Sequence, residues 1–238
     1  SRYGLKAHSA ICSGKAAKID AYLFTGLLHR QNINNQNVQV FERTTVTKMK
    51  NSDSSITAET EHGFTIRCRK VIHATGYEAL ERWSKKLVEL KSTYACVSEP
   101  IAELPPFFEH TLFWNTEDPY LYIREDSGRI IIGGRDEKYY DPRKRKLLLE
   151  RKTKALVGDF MKLFPGIKFN PEFEWAGTFA STPDGLPFIG QNEKVPNHYY
   201  ALGYGGNGIT FSAVASVLLA ELISDNSEVI PKIFSFNR

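Results

Sequence analysis

The sequence predicts a mixed chain, α/β at both ends and α+β in the middle, and three observations carry that expectation. A short β-prone segment, His198 to Leu202, runs into glycines at Gly203, Gly205, Gly206 and Gly208 and then into an apolar helix ending near Ile223. Strand, glycine turn and helix in that order form an α/β unit that aims free backbone N–H groups at a ligand. A second apolar strand, Val71 to Ala74, also closes on a glycine, Gly76. Between them, Lys91 to Glu174 alternates short strands with turn residues around one long helix, as an antiparallel sheet carrying helices would.

Taken in order, Gly4 to Ser13 reads as an extended lead-in. Asp20 is placed to N-cap a helix through about Arg30 that buries Leu23, Leu27 and Leu28. Asn32 to Asn37 is an amide-rich loop. Strands are expected at Val38–Phe41, Thr44–Lys50, Ser55–Thr60 and Phe64–Arg69, with turns at Asn51-Ser-Asp-Ser and Glu61-His-Gly. Val71–Ala74 reads as a buried strand. A helical stretch near 79–90 precedes a strand over Thr93–Pro100. Thr111–Asn115, Tyr120–Arg124 and Arg129–Gly133 are antiparallel candidates, the last two joined through Asp126-Ser-Gly128. Lys144–Phe164 is a helix with Leu149, Leu156, Phe160 and Leu163 on one face and Pro165-Gly166 as its stop. Glu172–Thr178 returns as a strand, and the helix after Gly208 sets Phe211, Val214, Leu218 and Leu222 on one face.

At 238 residues, 42% hydrophobic and 24% charged, the composition is that of a globular protein with room for one large or two modest domains. The net charge of +4 is mild, and the basic run Arg143–Lys146 reads as a solvated helix start, which argues against a nucleic-acid partner. Cys12, Cys68 and Cys96 are odd in number and lack metal spacing, which favours a reducing compartment and no metal. No apolar run reaches transmembrane length, so a cytoplasmic location is expected.

Three stretches give the pattern its specificity: Val71-Ile-His-Ala-Thr-Gly-Tyr77, Trp175-Ala-Gly-Thr-Phe-Ala-Ser-Thr-Pro-Asp-Gly-Leu-Pro-Phe-Ile-Gly190, and Tyr200-Ala-Leu-Gly-Tyr-Gly-Gly-Asn-Gly-Ile-Thr-Phe-Ser212. In that order they resemble the FAD-dependent D-amino-acid-oxidase family, which includes glycine and sarcosine oxidases. The resemblance runs from Gly4 to about Ser224. It implies a partial FAD-binding, Rossmann-like domain over 17–81 and 178–238, interleaved with an antiparallel-sheet substrate domain over 1–16 and 91–177. Family members carry a Gly-x-Gly-x-x-Gly fingerprint at the extreme N-terminus, after an apolar strand. Here only Gly203–Gly208 fits those letters, with no acidic residue placed to follow in a βαβ unit. The chain therefore resembles the later part of such an enzyme. Without the fingerprint, FAD is expected to bind weakly or not at all.

Flavin performs the redox step, so no catalytic side chain is expected. The resemblance assigns cofactor contacts to Val46, Ala74, Thr75, Gly76, Asp184, Gly185, Gly205, Gly206, Asn207, Gly208 and Ile209. Backbone N–H groups at Gly206–Ile209, at a helix N-terminus, suit negative charge on a reduced flavin. Gly206 and Gly208 are expected to be required as glycines, through positive φ or because a side chain would enter the flavin plane. Each has a plainer reading: Val46 as a strand valine, Ala74–Gly76 as a strand end, Asp184 as a turn cap. His73 reads as a core or strand histidine.

On the substrate side, glycine oxidase-like members place an arginine five residues before the aspartate of the Thr-Pro-Asp-Gly turn, where this chain has Phe179. Members with covalent flavin near this turn use a cysteine at the place of Gly177, so non-covalent FAD is expected. Tyr120, Tyr122 and Arg124 share one face of an ideal strand, two phenols and a guanidinium suited to a carboxylate. The alternative pairs Arg124 with Glu125 or Asp126. The expected function is oxidation of a C–N bond of a small amine or amino acid to an imine. The alternatives are a non-catalytic fragment of such a flavoprotein that folds without retaining FAD, and a sugar- or nucleotide-binding α/β module.

Overall fold

Asp20 ends an extended stretch and accepts a hydrogen bond from the Leu23 N–H at 2.9 Å, so a helix starts where the sequence expects one. This helix, α1 (Ala21–Asn34), opens the second of two units into which the chain divides in a computed structural model that describes residues 3–5, 7–35, 38–52, 54–77, 87–193, 195–224 and 230–238. One unit is Ser1–Lys18 with Glu89–Phe179, and the other is Ile19–Val88 with Ala180–Arg238.

The second unit begins with a departure. The helix α1 buries none of its residues: Leu23, Leu27 and Leu28 are 58%, 51% and 42% exposed. Its apolar stripe faces no described element, and the helix runs on into the expected amide loop, to Asn34. Val38–Phe41 is irregular rather than a strand, and its Val38, Val40 and Phe41 side chains are exposed. Next comes an antiparallel three-stranded sheet in the order β1 (Val46–Asn51), β2 (Ile56–Thr60) and β3 (Thr65–Cys68).

A second three-stranded sheet carries the glycine motifs. The strand β4 (Val71–His73) is parallel to a later strand, His198–Leu202, which in turn is antiparallel to Phe188–Gln191. Neither end of β4 is buried, and Ile72 is 52% exposed, because this strand lies at the edge of the three described strands. The expected helix near 79–90 lies mostly outside the described residues. Its last two positions, Glu89 and Leu90, already belong to β5 (Glu89–Ser98), ten residues whose β-branched and aromatic content suits a strand.

That strand is central to the first unit. Its sheet runs in the order β6 (Phe113–Trp114), β7 (Tyr122–Asp126), β8 (Arg129–Glu137), β5, β9 (Pro171–Ser181). The strands β7 and β8 form a hairpin whose two loop residues, Ser127 and Gly128, both have positive φ, as a tight two-residue turn demands. Asp141 caps α2 (Pro142–Leu163) through the N–H groups of Arg143 and Lys144, and Pro142 occupies the first turn, where a missing N–H costs nothing. Leu156 and Phe160 of α2 are fully buried against Tyr94, Cys96, Ile123, Ile130 and Ile132 of the sheet, with Phe108 and Phe164 closing the cluster. Arg135 donates to Asp159 Oδ2 at 2.7 Å and ties α2 to β8. Cys96 sits in this core, where burial pushes its thiol up to about 12.

After β9 the chain returns to the second unit through β10 (Phe188–Gln191), β11 (His198–Leu202) and α3 (Gly208–Ile223). Ala215 and Leu219 are the buried residues of α3, packing on Ile189, Tyr199 and Ala201, with Val214, Leu218 and Leu222 partly buried around them. No described helix is long and apolar enough to cross a membrane.

One buried ion pair fixes the β7–β8 hairpin. The Glu125 carboxylate, 7% exposed, accepts from Lys18 Nζ at 2.7 Å and from the Gly128 N–H at 2.8 Å. Lys18 first, and then the Gly128 amide, holds its carboxyl below the usual range. Replacing Lys18 with Ala leaves a buried carboxylate short of a partner, an expected loss of about 1–2 kcal/mol in thermal unfolding. Because the folded carboxyl titrates below its unfolded value, this contribution is whole above the unfolded pKa and fades as pH falls through the folded one. The variant should therefore resemble the parent more closely in acid than at neutral pH.

Candidate functional site

Parallel pairing sets the geometry. His73 pairs with Tyr200 and Val71 with His198, so β4 and β11 point the same way, with β4 stopping at His73 and β11 running on to Leu202. In α/β sheets ligands bind in the crevice beyond the carboxyl ends of such strands. Here that edge carries Ala74-Thr75-Gly76 after β4 and the glycine loop after β11. Gly76 has φ +60°, a left-handed bend suited to glycine.

The Thr-Pro-Asp-Gly turn arrives at the same place. A Cβ on Gly203, whose φ is +76°, would stand 2.9 Å from Thr182 Cγ2, and the Gly205 N–H donates to Ala180 O at 2.9 Å. The loop and the turn therefore touch, and glycine is what permits the contact. Within the turn, Gly185 has φ +72°, Thr182 Oγ1 donates to Leu186 O at 2.7 Å, and Asp184 Oδ1 accepts from the Leu186 N–H at 3.1 Å. Asp184 thus caps the turn. Its carboxyl is pulled down to about 2, first by the Arg238 guanidinium and then by that backbone N–H against the cost of burial.

The donors of the glycine loop divide into two sets. The N–H groups of Gly205 and Asn207 are spent inside the protein, on Ala180 O and Tyr204 O. Those of Gly206, Gly208 and Ile209 meet no acceptor among the described residues. Asn207 makes no side-chain cap, so the first turn of α3 is left bare. Free donors at a helix N-terminus beside two glycine bends form a cradle for an anionic or electron-rich edge, which fits a flavin. Left-handed φ falls at Gly203 and Gly205 and not at Gly206 or Gly208, which corrects one ground of the sequence expectation. A Cβ on Gly208 would meet nothing within 4 Å.

Val46 opens β1, half-buried and paired with Thr60, on the other sheet of the unit. At the far end of that strand Asn51 Oδ1 lies 2.9 Å from His198 Nε2, and His198 Nδ1 lies 2.8 Å from His73 Nε2. His73 also stacks on Tyr200, with ring centroids 4.6 Å apart. The two sheets are joined through these imidazoles. Burial lowers the pKa of His198 and favours the neutral ring, which can donate on one nitrogen and accept on the other.

In the first unit, Tyr122 and Arg124 project from the face of the sheet opposite α2, since Ile123 and Glu125 point inward. Tyr120 lies just before β7, its ring centroid 6.3 Å from that of Tyr122. Burial first, and then the charge of Asp136, raises both phenol pKa values, so both are neutral donors at neutral pH. Arg124 Nη1 is 3.5 Å from Asp126 Oδ1, the neighbour that the alternative reading named. The sequence reading missed two residues here. Gly133 is bare because the Tyr122 ring lies on it: a Cβ there would stand 2.1 Å from Tyr122 Cζ. Asp136 keeps a buried Oδ1 without a partner, and burial raises its pKa. The Gly133-Gly134 pair inside a strand was the available signal for the first.

One unit carries the α/β donor edge and the other the five-stranded sheet. The chain belongs to the family described as FAD dependent oxidoreductase (DAO), which it matches over residues 2–222. It is 27% identical over 218 residues to hydrogen cyanide synthase subunit HcnC of Pseudomonas aeruginosa, covering 87% of this chain and 48% of that protein. Over 102 residues, 42% of this chain and 21% of the other, it is 33% identical to gamma-glutamylputrescine oxidoreductase of Escherichia coli. Among solved structures it resembles L-proline dehydrogenase from P. horikoshii, with TM-score 0.72, 22% identity, and coverage of 91% of this chain and 60% of that one. It likewise resembles glycine oxidase from Geobacillus kaustophilus, with TM-score 0.65, 24% identity, and coverage of 84% and 53%. The chain spans about half the length of the curated HcnC relatives it matches.

The contrast between two glycines is directly testable. Gly203→Ala forces a Cβ into Thr182 at a left-handed position and should cost about 1–3 kcal/mol. Gly208→Ala, at the open first position of α3, should be neutral or slightly stabilising in the same thermal melt. Equal effects would mean that the loop does not pack on the turn as described.

Proposed function

We propose that the polypeptide to which this chain belongs oxidises a C–N bond of a small amine or amino acid to an imine, using non-covalent FAD. The observation that carries the reading is the unspent donor edge, Gly206, Gly208 and Ile209, set beyond the carboxyl ends of β4 and β11 in a chain of the FAD dependent oxidoreductase family. FAD supplies the two-electron redox chemistry when bound. This chain's residues hold and tune it. Ala74–Gly76 and the 182–185 turn bound the cradle, while the bare N–H groups favour the negative charge that a reduced flavin gains. Val46 is assigned to the adenine end on the family resemblance.

Substrate recognition is assigned to Tyr120, Tyr122 and Arg124. Two neutral phenols offer donors, and Arg124 offers a charge-assisted fork for a carboxylate, in competition with Asp126. Phe179 and Gly177 stand at the two positions before the turn where the family resemblance would put an arginine or a cysteine. The names of the relatives, a glycine oxidase, a proline dehydrogenase and a glutamylputrescine oxidoreductase, support a small amino-acid or amine substrate. A second reading concerns the chain in isolation: the exposed leucines of α1 and the open edge of β4 favour a piece that folds without retaining FAD.

Visible absorbance at about 450 nm should accompany the longer polypeptide through purification. A flavin-free preparation that cannot be reconstituted would sink the assignment. In the flavin-bound form, Gly208→Val should leave the melting temperature of the apoprotein nearly unchanged, since its Cβ meets open space, yet weaken FAD binding. Normal flavin affinity in that variant would remove the loop from the cofactor site. Arg124→Ala should raise KM for a carboxylated substrate about tenfold with a smaller fall in kcat, the loss expected of a charge-assisted pair. Unchanged kinetics on the best substrate would take Arg124 out of the site.

A further inference from the structure

Arg238 is held as few surface arginines are. Its Nε donates to Asp184 Oδ2 at 2.6 Å and its Nη2 to Asp184 Oδ1 at 3.1 Å, a two-pronged grip on one carboxylate. Nη2 also donates to Leu186 O at 2.7 Å, while Nη1 donates to Pro187 O at 3.1 Å and Ser235 O at 3.3 Å. A guanidinium carries five N–H donors, and here all five find oxygen. Its central carbon lies 3.9 Å from the centroid of the Phe188 ring, which stacks on Phe236 at 5.1 Å. The side chain is 12% exposed. A single turn of 3-10 helix, Lys232–Phe234, precedes it and stiffens the arm.

Three of these acceptors, Asp184, Leu186 and Pro187, belong to the Thr-Pro-Asp-Gly turn and its exit. That turn in turn touches the glycine loop, through Thr182 against Gly203 and Ala180 O against the Gly205 N–H. We propose that Arg238 is a positioning residue: the arm at 231–238 straps the 182–187 turn, and through it the glycine loop, into the shape that presents the loop's free donors to flavin. The inference rests on the flavin reading given above. It also gives Asp184 a role other than touching cofactor, namely receiving the strap. Lysine cannot replace this grip, because an ammonium has no planar fork and cannot stack on Phe188 in the same way.

The test uses the longer flavoprotein with R238A, R238K and D184N, measuring the Kd for FAD by flavin fluorescence and the release of the 231–238 arm by limited proteolysis. R238A should free the arm and raise the Kd about tenfold, the scale of a lost charge-assisted pair. R238K should recover little of it, and D184N should follow R238A in direction. D184N conserves volume and keeps the measurement available if R238A fails to fold. An arm that is freed while the Kd stays within about twofold of the parent, in R238A or in D184N, overturns the inference and leaves only a clasp for the tail. A parent that binds no flavin at all removes the flavin reading and this inference with it, so the two failures are told apart by the parent alone.

Discussion

Three residue pairs of parallel β-structure, Val71–His73 against His198–Tyr200, hold the candidate site together. The partners are far apart in sequence, and every strand of the five-stranded sheet lies between them along the chain. Backbone pairing this short is weak, and parallel pairing is the weaker kind per residue. What reinforces it is side-chain chemistry on one face of the sheet. His73 bonds to His198 and stacks on Tyr200, and His198 reaches Asn51 on the neighbouring sheet. With Asn51 Oδ1 as acceptor, His198 donates from Nε2; with its ring neutral, Nδ1 accepts and His73 donates from its Nε2. Burial lowers the pKa of His198 and so favours this neutral arrangement of the row. Loss of that row would let the carboxyl ends of the strands drift, and the motifs that follow them would no longer share an edge.

Much of this was legible in the sequence. The Asp20 cap, the hairpin through 126–128, the long helix stopped at Pro165, and the strand–glycine–helix order all depend on local chemistry, and the structure has each of them. What failed depended on neighbours that a sequence pattern does not name. The stripe Leu23, Leu27, Leu28 reads as a buried helix face, but burial needs a partner surface, and no described element supplies one. Val71–Ala74 reads as a buried strand because it is apolar, yet position within the sheet decides exposure, and β4 is at the edge. Val38–Phe41 has strand composition but pairs with no strand among the described residues, so propensity alone did not make it one.

The candidate site was legible in kind more than in detail. Glycine clusters announce close approach but not which glycine makes it. Gly133 was passed over as an ordinary strand residue, although its missing side chain is what lets Tyr122 lie flat on the sheet. Arg238 carried no signal at all, because its partners Asp184, Leu186 and Pro187 are remote in sequence and the pairing depends on how the last arm folds back. Long-range polar grips of this kind leave no periodicity to read.

The glycine loop shows why the distinction matters. Gly203 and Gly205 adopt left-handed φ, and between them they shape the path: one slides under Thr182, the other hands its N–H to Ala180. Gly206 and Gly208 do not adopt left-handed φ, and a Cβ on Gly208 would meet nothing within 4 Å, so no contact within the bare fold requires glycine at 208. Glycine costs backbone entropy, and at 208 it stands where the protein's own geometry would accept a side chain, which is what the proposed ligand role accounts for. Both Gly206 and Gly208 flank donors that no described residue uses. Bare backbone beside unspent N–H groups would admit a flat ligand to hydrogen-bond distance, as the proposed cofactor role requires. The first pair of glycines therefore serves the turn, while Gly208, free of that duty, is left for the proposed ligand.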